Sequence, residues 1–120
     1  MNYDRDKLIE MLIVDEGMKL QVYQDSLDID TIGVGRNLEE RGLTVAELQH
    51  LGFTTMQEVY CIGITESGAR YLLRNDIDIV ERELSIAHPC IEDLTEGRQI
   101  VCLNMAFNLG VPRLKKFKKM

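Results

Sequence analysis

The sequence predicts an α+β fold: a small β-hairpin lobe joined by a long helix to a mainly helical lobe, within one domain spanning residues 1–120. Three observations carry this. The hydrophobic period changes from helical to alternating between residues 19 and 35. An amphipathic run of about twenty residues follows Thr65. The stretch IVCLNMAFNL, Ile100 to Leu109, is apolar nearly all round. With 45% hydrophobic residues in 120, the chain suits one compact unit that buries roughly two thirds of its unfolded surface.

Taken in order, Leu8, Ile9, Leu12 and Ile13 repeat at helical spacing and Gly17 supplies a stop, so a helix runs from about Asp4 to Glu16. Leu20 and Val22, then Ile32 and Val34, alternate with other residues, which predicts two short strands around a turn near Ser26 to Ile29. That turn has no glycine, so Asp28 must take whatever strain it imposes. Thr44 with Glu47, and Thr55 with Glu58, fit capping boxes opening helices over 44–51 and 55–61. Ala69, Leu73, Ile77, Val80 and Leu84 trace one face of the long helix, which ends before His88-Pro89 because proline pushes its predecessor out of helical geometry. The run from Thr95 to Leu109 reads as a buried helix containing Met105 and Phe107 as core, ended by Gly110 and Pro112. Beyond it a basic amphipathic segment begins, with Lys115, Lys116, Lys118 and Lys119 around Leu114 and Phe117. The lobes are then about 15–64 for the hairpin, 65–88 for the connecting helix, and 1–14 with 89–120 for the helical lobe.

Charge and cysteine usage exclude several functions. A net charge of −6 gives nucleic-acid binding little electrostatic support, more so because four of the lysines sit in the last six residues. No run of about 18 apolar residues, the length that would insert in a membrane, occurs, and the charged N-terminus lacks a signal-peptide core. Cys61, Cys90 and Cys102 are odd in number and lack metal-ligand spacing, so they read as small apolar residues kept reduced. His50 and His88 have no partner at catalytic spacing and read as surface or loop residues. No metal or cofactor is expected.

The chemistry concentrates between Glu16 and Arg36. Glu16 closes a helix, where the dipole's negative end and partial burial would both raise its pKa and favour a proton donor. Asp25, at the turn, is expected to be solvated and ionised, and Thr31 offers a hydroxyl that could hold a water. Two carboxyls pushed apart in pKa are what glycoside hydrolysis requires. Without further context, however, acids nine positions apart are usually just surface. A calcium loop over Asp25, Asp28 and Asp30 lacks the necessary glycine and glutamate.

The pattern Asp15-Glu16-Gly17, Tyr23-Gln24-Asp25 and Thr31-Ile32-Gly33-Val34-Gly35 resembles the catalytic stretch of the phage-type lysozymes, the endolysin family. The resemblance continues through Ile64-Thr65-Glu66, Asn75-Asp76-Ile77-Asp78 and Asn104 to Gly110, nearly the whole chain. It implies a lysozyme-like fold and muramidase activity on the β-1,4 bond between N-acetylmuramic acid and N-acetylglucosamine in peptidoglycan. Glu16 would be the general acid, Asp25 the residue placing or activating water, Thr31 a partner of that water, and Asn108 a substrate contact near the cleft. It also implies action on the wall from the host cytoplasm, after release through a separate membrane-permeabilising protein.

Three departures shape the expectations. Arg36 stands where a well-known member of that family has histidine, and an Arg36–Asp76 ion pair is expected to tie the hairpin lobe to the long helix. Asp28 replaces a common glycine and puts strain and charge beside Asp25. The family normally continues past the position of Met120, so the second lobe is expected to be incomplete and covered by a partner protein or a second copy. The alternative function is therefore a non-catalytic or impaired relative that binds the cell wall or a protein.

Overall fold

A computed structural model describes residues 3–109, with side chains through Phe107. The expected basic segment after Gly110 and the side chain of Asn108 lie outside the described residues. The order is α1 (Arg5–Glu16), β1 (Lys19–Gln24), β2 (Asp30–Gly33), β3 (Arg36–Asn37), α2 (Val45–Leu51), α3 (Met56–Ile62), α4 (Glu66–Ala87), a 3-10 helix (Pro89–Asp93) and α5 (Glu96–Leu109). This is the α+β, lysozyme-like fold the sequence predicts, with one more strand and a 3-10 turn. The chain divides into two compact units, residues 12–74 and residues 1–11 with 75 onward, so that α1 and α4 each contribute to both. No described helix is long and apolar enough to cross a membrane.

The continuous unit holds the antiparallel sheet, in order β1-β2-β3. Tyr23 pairs with Thr31 and Gln24 with Asp30, but Lys19 pairs with Gly33, so β1 bulges between Lys19 and Tyr23. The bulged strand turns Leu20 O towards α3, where it accepts from Ile64 N at 2.7 Å. Gly63 makes that approach possible: a Cβ there would stand 2.4 Å from Leu20 O, and its φ of +83° with ψ of −168° suits only glycine. Both capping boxes form, Thr44 with Glu47 on α2 and Thr55 with Glu58 on α3. The core of this unit is Ile32, Leu38, Val59, Ile64, Ala69 and Leu72, with Phe53, Met56 and Tyr71 packed against it. His50 stacks on Tyr71 with ring centroids 3.7 Å apart.

In the discontinuous unit the buried side chains include Leu8, Ile9, Ile77, Leu84, Ile91, Ile100, Leu103 and Ala106. Arg5 bridges Asp78 at 2.6 Å and Glu81, whose carboxylate also accepts from the Tyr3 hydroxyl at 2.8 Å. Gln99, fully buried on α5, donates to the carbonyls of Ile91, Glu92 and Leu94 at 3.1, 3.4 and 3.2 Å. Ile91 O also accepts from Leu94 N at 3.1 Å, so Gln99 adds a second donor there and ties the end of the 3-10 turn to α5. One expectation needs correcting: α5 is not buried all round. Val101 is 54% exposed, and Met105 and Phe107 are half-buried rather than core. The apolar composition of IVCLNMAFNL concealed a face at Glu96, Arg98 and Val101 that meets solvent. Cys61, Cys90 and Cys102 are free thiols, the first two exposed.

Candidate active site

The β1–β2 connection builds the first part of the site. Asp25 N donates to Ile29 O at 3.0 Å and Asp28 N to Asp25 O at 2.9 Å, enclosing a three-residue loop of Ser26, Leu27 and Asp28. In such hairpins a turn is followed by one left-handed residue, commonly glycine. Asp28 fills that place with φ +62°, and it is the one non-glycine with positive φ among the described residues. The same loop fixes Asp25, whose Oδ1 accepts from Leu27 N at 2.8 Å and from Ile29 N at 3.0 Å.

Thr31 lies on β2, 3% exposed, with Tyr23 opposite on β1 and Asn37 opposite on β3. Its hydroxyl donates to Ile29 O at 2.8 Å. The proton is thereby committed, and the oxygen faces any further partner as an acceptor.

Glu16 is the last residue of α1, which closes with Gly17 N on Ile13 O at 2.8 Å. The turn between β2 and β3 comes up against its carboxyl: a Cβ built on Gly35 (φ +79°) would sit 3.5 Å from Glu16 Oε2. Burial is the main influence raising the Glu16 pKa, followed by the neighbouring Asp15 carboxylate. Sequence reasoning had invoked burial together with the helix dipole; the like charge of Asp15 had not been considered.

Tyr23 links the acids. Its phenol is held above its ordinary pKa first by burial, then by the charges of Glu16 and Asp25. Glu16, Asp25, Thr31 and Tyr23 therefore share the 12–74 unit. The sequence expectation takes Tyr23 as an alternating strand residue and part of a motif, with no role in the chemistry; the two-residue alternation that ends at Asp25 is the signal it offers.

Arg36 follows Gly35 and is 3% exposed. It forms a bidentate pair with Glu47, Nη1–Oε1 3.0 Å and Nη2–Oε2 2.7 Å, and donates to Gly42 O at 2.9 Å and Leu72 O at 3.3 Å. Sequence reasoning assigned Glu47 only to its capping box and missed this partner. Asp76 lies on α4 and is 4% exposed. Asn108 lies on α5, with its side chain outside the described residues.

The family model described as phage lysozyme matches residues 14–120. The pre-baseplate central spike protein Gp5 of Enterobacteria phage T4 is 30% identical over 122 aligned positions, which take in 94% of this chain and 21% of the spike protein. Probable T4-type lysozyme 1 of Dictyostelium discoideum is 28% identical over 118 positions, 91% of this chain and 69% of that protein. The chain thus spans about a fifth of the spike protein's length.

Proposed function

The chain belongs to the phage lysozyme family, and on that premise we propose that it hydrolyses the β-1,4 bond between N-acetylmuramic acid and N-acetylglucosamine in peptidoglycan. The observation that carries this is the half-buried Glu16 carboxyl, raised in pKa at a helix end beside the Gly35 turn. Glu16 gives its proton to the glycosidic oxygen as the bond to the anomeric carbon breaks.

Asp25 and Thr31 place the water. Asp25 Oδ1 is occupied by two backbone N–H groups, so Oδ2 meets the water, and Thr31 Oγ1 accepts its second proton. A water donating to both keeps a lone pair for the anomeric carbon. Its proton passes to Asp25 as the new C–O bond forms, a single displacement that inverts the centre. A glycan contact by Asn108 rests on the family resemblance alone, its side chain lying outside the described residues.

Glu16→Gln is expected to abolish release of reducing ends from purified peptidoglycan while leaving the circular dichroism spectrum unchanged; sugar release equal to wild type would overturn the assignment. Access to the wall from the host cytoplasm is proposed to need a separate membrane-permeabilising protein. Cells making the chain alone should stay intact and lyse only when a pore-forming protein is added.

A second reading, wall or protein binding without catalysis, draws support from the spike relative and from Asp28 beside Asp25. Under it, the protein sediments with peptidoglycan and releases no sugar.

A further inference from the structure

The polar groups around the proposed site are unbalanced. Thr31 has spent its proton on Ile29 O, Asp25 is an acceptor fixed by backbone donors, and Glu16 supplies one proton, reserved in the proposed reaction for the leaving oxygen. An N-acetylated sugar presents a carbonyl and ether oxygens that need donors. Acceptors alone cannot hold them.

Like the amide of Asn37, opposite Thr31 on β3, Tyr23 is an uncharged donor in that neighbourhood. Cross-strand pairing with Thr31 sets the two side chains on one face of the sheet, and alternation along the chain sets Asp25 on the same side. Its ring is half-buried. Among the described residues its hydroxyl donates to no protein acceptor, whereas Tyr3 and Tyr60 donate to Glu81 and Asp30. Burial and the two acidic neighbours keep the phenol protonated through the neutral range, so the donor is always present.

We propose that Tyr23 is a substrate-contacting residue whose phenol O–H donates to an oxygen of the N-acetylated sugar bound between Glu16 and Asp25. This rests on the muramidase reading for its ligand class but needs only binding, not turnover. The aromatic face adds contact area at the cost of few rotatable bonds.

Tyr23→Phe removes the hydroxyl alone. Because that group has no hydrogen-bond partner to lose among the described residues, the midpoint of thermal unfolding should move by no more than about a degree. Binding of a soluble N-acetylglucosamine–N-acetylmuramic acid tetrasaccharide, measured calorimetrically in a Glu16→Gln background, should weaken roughly three- to tenfold. Tyr23→Ala, lacking the ring as well, should bind more weakly still.

Unchanged affinity in Tyr23→Phe overturns the proposal. So does a tetrasaccharide that fails to bind the Glu16→Gln parent, or an unfolding midpoint that falls in step with affinity, which marks a structural hydroxyl. Reducing-end release by the otherwise unaltered chain is read separately: without it the hydrolase assignment fails, while a hydroxyl-dependent affinity would still place Tyr23 on the glycan.

Discussion

At the scale of single residues, Glu16 and Asp28 both sit in conditions their side chains do not favour, for different reasons. A carboxyl whose folded pKa is raised holds its proton more tightly in the native state than in the unfolded one. Its contribution to stability therefore falls as pH rises from the ordinary carboxyl range through the raised value. Glu16→Gln should consequently unfold at or above the wild-type temperature at pH 7, with the difference gone near pH 3; a clear loss at pH 7 would show that the charge is stabilising. Asp28 carries backbone strain instead, at φ +62°. Asp28→Gly should add about 0.5–1 kcal/mol to stability in urea titration, part of the relief being offset by the freer unfolded chain. The left-handed requirement at 28 was legible, because a turn without glycine must put positive φ somewhere. For Tyr23 the alternation with Asp25 was legible, but the nearness of Glu16 was not, because Glu16 lies on α1 and reaches Tyr23 only through the fold.

Among the elements, the buried Arg36–Glu47 pair is the strongest link. Glu47 caps α2 through Thr44 N at 2.9 Å and grips Arg36 with both oxygens, joining β3 to α2, while Arg36 also holds the Leu72 carbonyl of α4. Removing one member of a buried charge pair withdraws the charge-assisted hydrogen bonds it makes to the other. Glu47→Ala should cost about 3–5 kcal/mol by denaturant unfolding, far more than a surface helix cap at about 1 kcal/mol. The proposed Arg36–Asp76 pair is tested on the same scale: additive losses for Arg36→Ala and Asp76→Ala would rule it out. Helix starts were legible where side chains bond to nearby backbone, as at Thr44 and Thr55, since that chemistry is local. The two-residue strand β3 and the 3-10 turn after Pro89 were not: one exists through pairing with β2, the other is held by Gln99 from the next helix. The solvent face of α5 escaped detection because its exposed Val101 is itself apolar.

For the whole molecule, the division at residues 11–12 and 74–75 sorts the groups of the proposed mechanism. Glu16, Tyr23, Asp25, Thr31 and the Arg36–Glu47 pair all come from the uninterrupted stretch, while Arg5 must find Asp78 and Glu81 more than seventy positions away. The division falls inside α1 and α4, and an unbroken helical period carries no mark of the point where a helix changes neighbours. The discontinuous unit also has a consequence in time. A ribosome releases Tyr3 to Met11 long before Asp78, Glu81 and Glu96 exist for them to meet, so closing that loop waits on later synthesis and carries its entropy. Residues 12–74 can organise while the N-terminal segment is still unattached. In pulse-labelled hydrogen exchange during refolding, amides of β1, β2 and α3 should gain protection before those of Leu8 and Ile9, and simultaneous protection would show that the two units assemble in one step.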